Sequence, residues 1–330
     1  MEKMFKRTLV GAAIALAAGS ANAAIDLAGE NVQFYGQAAG FIHLTGPEVG
    51  DNAAQAVIES RVGFRGRHQY DDFGPDFIWQ IEGGDANNGD KSGQLGARDT
   101  FLGFDFDGVG SFKYGRQLVA AYNYVDWPHS NPGLGNVFDW HNTIDASYED
   151  RADNVFRFDS ANWGGFGVQA TLSGMGSNTD AMIVSVAANY NHEKFSIHGG
   201  FYNQSDYTNA DGIKDGDISY AIIGGSVYLG DLTLTAAYKP MKNDLTNNDQ
   251  DAYSATAQYV IDGKYVLKAG YAATSDSKLG SGDDSQALTA RFGYLLPSTY
   301  LFVDVRSYDM LGSDESDDGT NVLLGAEYYF

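Results

Sequence analysis

The sequence predicts an all-β chain whose strands close into a transmembrane antiparallel β-barrel of 16 strands, and three observations carry that prediction. Apolar residues recur at every second position in segment after segment. The connectors between those segments alternate in length, and beyond residue 24 no apolar run reaches the roughly 20 residues that a membrane-crossing helix needs. The last segment shows the alternation most plainly: from Asn321 to Phe330, polar or small residues alternate with Val322, Leu324, Ala326, Tyr328 and Phe330. A terminal strand with one greasy face has an open edge, and pairing it with the first strand is what removes both edges of the sheet.

The N-terminus predicts the destination. Lys3, Lys6 and Arg7 precede a short apolar run from Leu9 to Ala18, and Ala21-Asn22-Ala23 is a small-x-small pattern. Residues 1–23 therefore read as a secretory signal peptide cleaved before Ala24, leaving 24–330 as the barrel domain. Ten Ala-rich residues are too few to anchor the chain in a bilayer. The absence of cysteine means that an exported chain gets no disulfide support, so a closed hydrogen-bond network has to supply the stability.

Period-2 reading gives sixteen strands, near 33–45, 56–70, 76–84, 98–106, 111–117, 153–160, 166–173, 181–191, 194–204, 217–229, 231–239, 251–261, 264–275, 285–296, 299–308 and 321–330. Short connectors such as Asp107 to Gly110, Gly230-Asp231 and Asp262-Gly263 alternate with longer polar ones such as Gly46 to Gln55, Gly83 to Ala97, Ser205 to Gly216, Met241 to Gln250 and Met310 to Thr320. Short turns at one rim and long loops at the other are the pattern of outer-membrane barrels. All six prolines are expected in connectors, because proline cannot donate to a central ladder.

Parity then separates lumen from lipid. In the second strand Glu59, Arg61, Gly63, Arg65 and Arg67 share one face and Val62 and Phe64 the other. An arginine facing lipid at mid-bilayer costs about 2–4 kcal/mol, which puts the arginine row on the lumen side. Likewise Lys268 marks the inner face of its strand, opposite Tyr265, Leu267, Ala269 and Tyr271. Sixteen strands enclose more space than wall side chains fill, and the connector between Gln117 and Asn154 is long enough to enter it.

The chain resembles, from end to end, the general diffusion porins of Gram-negative outer membranes. The resemblance rests on Phe34-Tyr-Gly36, Ser60-Arg-Val-Gly-Phe-Arg-Gly66, Gly110-Ser-Phe-Lys-Tyr-Gly-Arg116 and the terminal Ala326-Glu-Tyr-Tyr-Phe330. It implies that the third loop folds inward and sets carboxylates across from wall arginines in a narrow eyelet. Arg61, Arg98 and Arg151 match the basic side, with Arg65 beside them, and Asp126, Asp139, Asp145 and Glu149 are the candidate acids. Gln37 stands where the family carries a basic residue, and the usual Pro-Glu-Phe-Gly-Gly-Asp segment is missing. Tyr328 and Phe330 resemble the signal read by barrel-assembly machinery. The resemblance further implies a homotrimer embedded among outer-membrane lipid and lipopolysaccharide.

The function expected is passive diffusion of small hydrophilic solutes and ions. A formal charge of −22 from 43 acids against 21 basic residues favours cations and speaks against nucleic acid as a partner. Two acid clusters in outer connectors, Asp211, Asp215 and Asp217 in one and Asp314, Glu315, Asp317 and Asp318 in another, would hold Ca²⁺ or Mg²⁺ loosely against lipopolysaccharide phosphates. The first of these lacks the closing Glu of a calcium loop, so no dedicated metal or cofactor is expected. A solute-specific channel is the alternative, kept open by Tyr122, Tyr124, Trp127, Phe138 and Trp140 in the long loop; an adhesin or phage receptor is another. No Gly-x-Ser-x-Gly or His-Glu-x-x-His constellation supports an enzyme, and an outer-membrane hydrolase is the remote reading.

Overall fold

Alternation along each strand decides which side chains meet water and which meet lipid, and the computed structural model obeys it over the residues it describes: 24–86, 94–175, 180, 182–208, 212, 216–310 and 318–330. The leader at 1–23 and the loop acids Asp211, Asp215, Asp314, Glu315 and Asp317 lie outside them. In chain order the spanning strands are β1 (Gln33–Pro47), β2 (Ala53–Ile58 continued by Ser60–His68), β3 (Asp76–Ala86), β4 (Leu95–Phe106), β5 (Gly110–Leu118) and β6 (Arg151–Ser160). Next come β7 (Phe166–Ser173), β8 (Ile183–Asn191), β9 (Phe195–Tyr207), β10 (Gly216–Leu229) and β11 (Leu232–Asn243). The last five are β12 (Asn248–Ile261), β13 (Tyr265–Thr274), β14 (Ser285–Leu296), β15 (Thr299–Met310) and β16 (Gly319–Tyr329).

Each strand pairs antiparallel with its neighbours in sequence, and β16 returns to β1 in a register running from Gly319↔Pro47 to Tyr329↔Gln37. The seam ends on Phe330, whose N–H donates to the Gly36 carbonyl at 3.0 Å while Gly36 N–H donates back to Phe330 at 2.7 Å. The Phe330 ring packs against Phe34 at 5.5 Å between centroids. A Cβ at Gly36 would meet Phe330 Cζ at 2.5 Å, so the closing aromatic needs a glycine beneath it.

In β12 the inward set is Asn248, Gln250, Ala252, Ser254, Thr256, Gln258 and Val260, while Tyr253, Tyr259 and Ile261 are exposed on the outside. In β13 Lys268 faces in and Tyr265, Leu267 and Tyr271 face out, as parity predicts. Turn chemistry agrees: Asp262 and Gly263, at φ 51° and 65°, reverse the chain between β12 and β13 in the left-handed region that Asp and Gly tolerate best.

Two expectations need correction. Pro240 lies inside β11 rather than in a connector, opposite Asp251 of β12. The missing N–H is accommodated because the β10–β11 ladder lapses there, between Tyr220↔Met241 and Ile223↔Tyr238; Pro47 likewise closes β1. The loops expected at Met241 to Gln250 and at Gly46 to Gln55 also shrink, to 244–247 and 48–52, because the flanking strands run on above the greasy band as polar ladder. In the first of them Asn243 Oδ1 accepts the Leu245 N–H at 2.9 Å and tightens the turn.

On the inner face aromatic rings lie over glycines of adjacent strands: Tyr35 over Gly63, Tyr300 over Gly293 and Phe302 over Gly325. The glycine gives the ring a place to lie flat, and the ring restores the packing the glycine lacks. Gly325→Val would push Phe302 off its neighbour and cost about 1–3 kcal/mol, as overpacked sites do. The expected outcome is a lower temperature for the heat-induced shift of the folded band on an electrophoresis gel.

Candidate functional site

Between β5 and β6, residues 119–150 turn into the barrel instead of leaving it. The Val119 N–H donates to the Asp150 carbonyl at 2.9 Å and closes the base of the excursion. An apolar face docks the loop: Val125, Leu134, Val137, Phe138 and Ile144 are buried, packed with inward residues of the wall that include Tyr202, Tyr220, Ile222, Met241, Ala272 and Tyr308. Two single turns, α1 (Tyr122–Asp126) and a wider turn over Asn136–Trp140, present Val125, Val137 and Phe138, and Leu134 and Ile144 flank the second turn. A Cβ at Gly270 would lie 2.6 Å from Leu134, which makes β13 flush at the contact.

Polar bonds fix the path along β7 to β15. Thr171 Oγ1 and Ser185 Oγ accept the Ala120 and Ala121 N–H groups at 3.1 and 2.9 Å. The Tyr308 hydroxyl donates to the Gly133 carbonyl at 2.8 Å, and Arg291, held by Asp304 at 2.5 Å, reaches Asn131 at 3.3 Å. Lys268 Nζ lies 5.3 Å from the Trp127 ring centre. Asn243 donates to the carbonyls of Ile144 and Asp145, both at 2.9 Å. The loop therefore covers one side of the lumen, and the passage left open runs against the wall formed by β16 and β1 to β6.

That wall carries the arginines. Arg61 of β2 and Arg98 of β4 lie side by side over Gly84 of β3, where a Cβ would come within 2.7 Å of one and 2.6 Å of the other. Arg98 Nε is 2.7 Å from Glu82, whose other oxygen accepts the Tyr35 hydroxyl at 2.8 Å. Arg151, at the start of β6, pairs with Asp99 at 2.8 Å. Across from them, Asp126 is exposed in the lumen at the end of α1 and feels the charges of all three arginines. The protein packed around the carboxyl desolvates it and raises it above the usual range even though the residue keeps an edge in lumen water; its bond to Ser130 and then Arg61, Arg98 and Arg151 pull it back down. Asp150 sits in the same field, raised first by burial and then acted on by Lys239, Asp126 and Arg151.

The structure thus brings Arg61, Arg98, Arg151 and Asp126 together and separates the other candidates from them. Arg65 lies four residues, about 13 Å of strand, nearer the short-turn rim, where it donates to Gln33 at 3.1 Å and covers the Tyr35 ring. Asp139 is buried between loop and wall: its carboxylate accepts the Tyr122 hydroxyl at 2.9 Å and its carbonyl accepts Lys239 Nζ at 2.8 Å. Asp145 stands by the far end of β11, and Glu149 beside Arg116 and Asp153. Sequence reasoning missed Glu82, Asp99 and Asp150. Glu82 is readable by parity within β3, whereas Asp99 directly follows Arg98, so alternation would send the two to opposite faces, and both reach the lumen only because the β3–β4 register shifts between Ile81 and Gly83. Asp150 needs the path of the loop. Among the described residues no group of three or more His, Cys, Asp or Glu side chains is placed to hold a metal.

A closed barrel, greasy outside and charged inside, narrowed by a docked loop, defines a transmembrane channel for water-soluble molecules. The profile described as Gram-negative porin matches residues 11–313. The chain is 32% identical to a chitoporin of Vibrio furnissii, with all of both chains covered. Among solved structures it is similar to the anion-selective porin of Comamonas acidovorans, at TM-score 0.72 and 19% identity over 91% of this chain and 99% of that one. It is also similar to the trimer form of OmpT from Vibrio cholerae, at TM-score 0.69 and 19% identity over the same shares. The chain belongs to the Gram-negative porin family. It is an outer-membrane diffusion channel.

This geometry sets two expected outcomes. Glu82→Gln leaves the Arg98 charge uncompensated; a unit charge a few ångströms away across water is worth about 1 kcal/mol, roughly fivefold in ion occupancy, so the reversal potential in a salt gradient moves toward anions. Because Asp150 carries a raised pKa, acidification neutralises it before ordinary carboxylates. Reversal potential measured against pH accordingly shifts toward anions as pH falls, and Asp150→Asn flattens the upper part of that curve.

Proposed function

We propose that small hydrophilic solutes and ions diffuse passively through the gap between Asp126 and Asp150 on one side and Arg61, Arg98 and Arg151 on the other, with a mild preference for cations. The carrying observation is that Arg98 and Arg151 are already paired with Glu82 and Asp99, so four acids answer three arginines around the passage. Opposed charges across a narrow water gap order the solvent and penalise apolar permeants, which cannot replace its interactions. We further propose a homotrimer, formed after removal of residues 1–23 and assembled through recognition of the Tyr328 to Phe330 end. Its acidic outer loops would hold Ca²⁺ or Mg²⁺ loosely against lipopolysaccharide.

A second reading, a channel selective for a sugar, draws on Trp140. Of the six loop aromatics, Phe138 is buried in the docked core, Tyr148 packs against Tyr202 and Tyr220, Tyr122 and Tyr124 spend their hydroxyls on Asp139 and Asn189, and Trp127 is held over Lys268. Trp140 is 64% exposed, an apolar plate of the kind that stacks on a sugar ring. The relative named a chitoporin directs the choice of test solute to chitin-type oligosaccharides.

Planar-bilayer recording tests both. General diffusion predicts conductance linear in salt, steps grouped in threes and a cation-selective reversal potential that Asp126→Asn moves toward anions; an anion-selective wild type overturns the proposed preference. The sugar reading predicts saturable current block by a chitin-type oligosaccharide, weakened several-fold by Trp140→Ala, which removes the exposed plate.

A further inference from the structure

Two buried imidazoles meet where the loop lies on the wall, and the conduction path uses neither. His129 of the loop is fully buried and His198, 5% exposed, faces inward from β9; their Nε2 atoms are 2.8 Å apart. Tyr124 stacks on His198 with centroids 4.7 Å apart and planes 12° apart. From β12, the Ser254 hydroxyl donates to the His129 carbonyl at 2.7 Å. Beneath the pair β10 supplies Gly224, where a Cβ would come within 2.6 Å of His129 Nε2 and 2.8 Å of His198 Nε2.

Two neutral imidazoles in this arrangement share one hydrogen, the Nε2–H of one donating to the lone pair of the other. When both rings carry two hydrogens, no acceptor remains and two positive charges face each other at contact distance in an enclosed site. The surrounding groups do not relieve this. Lys268 on β13 adds a further positive charge that opposes protonation of His129. Lys239 on β11 lies beyond the Phe138 ring and is engaged with Asp139, whose carboxylate is bonded to Tyr122. Asp126, three residues before His129, is bonded to Ser130, and Tyr124 offers His198 only its ring face.

We propose that His129 and His198 form a proton-sensitive latch that holds the constriction loop against the wall, and that acidification releases it and makes the pore switch between conductance levels. The proposal rests on the reading that this loop bounds the conduction path. The sign comes from linkage. Burial, then His198 and Lys268, lower the docked His129 from 6.5 to about 3, so between those values this histidine binds more protons in the released loop than in the docked one, whereas Asp139 and Asp150, raised by burial in the docked loop, act in the opposite sense. The contribution of the histidine pair to docking is complete above pH 6.5 and weakens as pH falls through that window, by up to about tenfold in the docking equilibrium per pH unit for one proton.

The test is the rate of transitions between conductance levels in planar bilayers, recorded from pH 7.5 to pH 4 with the full mature chain. Wild type is expected to show a steep rise in acid. The double variant H129Q/H198Q, whose amides hydrogen-bond without titrating, is expected to keep its neutral-pH behaviour throughout, and H68Q to respond like wild type. A double variant that retains the wild-type response to acid overturns the latch. Should the double variant not refold, a nitroxide on S130C, in a chain with no other cysteine and both histidines intact, gains mobility in acid if the latch holds; mobility unchanged down to pH 4 overturns it. The two ideas fail separately, because D126N reports on the eyelet through reversal potential and the histidine variants report on transitions.

Discussion

Everything in this molecule answers to the absence of water around its middle. In hydrocarbon an unpaired backbone N–H or C=O costs several kcal/mol, and the pairing of β16 with β1 is what leaves none along the sheet edges. Closure forces each strand to choose a lipid face and a water face, which is why Leu267 and Tyr271 alternate with Lys268 and Gly270. It also concentrates design at the seam, where Gly36 makes room for the ring of Phe330.

A closed ring of sixteen strands creates the second problem, an interior that wall side chains cannot fill. The solution is a segment that behaves as a small core element inside a membrane protein. Its greasy side chains gain by burial against Tyr202, Tyr220 and Met241, as in any soluble domain. Its charged face, carrying Asp126, is left toward water. The wall opposite divides its labour in the same way, since Glu82 and Asp99 hold Arg98 and Arg151 in fixed poses while reducing the net charge a permeating ion meets.

The strands were legible in the sequence because period 2 and a lipid-water boundary leave little freedom: Arg61 and Lys268 could point only inward. Arg61 and Arg98 were legible through local motifs and Arg151 through its place after the loop, but Asp126 was one of four candidate acids that no motif separated. The rest was hidden for physical reasons. Whether Asp139 faces water or Lys239 depends on how the loop turns over Asn136–Trp140, which is settled by contacts with strands about a hundred residues downstream. Pro240 was misplaced because a lapse in one ladder, invisible in a single strand, excuses its missing N–H. The docking face of Val125, Leu134, Val137, Phe138 and Ile144 did carry a signal: apolar residues in a segment otherwise full of acids, with no strand or helix periodicity to explain them.

The path of that segment along β7 to β15 also has a mechanical meaning. A hollow cylinder under lateral pressure fails first by flattening, since bending a sheet is far easier than stretching its hydrogen-bonded ring. Tied at its base by the Val119 N–H and pinned across the interior at Ser185, Asn243, Ser254 and Tyr308, the inserted chain acts as a cross-brace. It resists ovalisation on the side it covers and leaves the shorter arc from β16 to β6 as the compliant one. The width of the passage is then governed by the stiffness of that arc, so anything that clamps its outer surface would tune transport without touching a single charge in the gap.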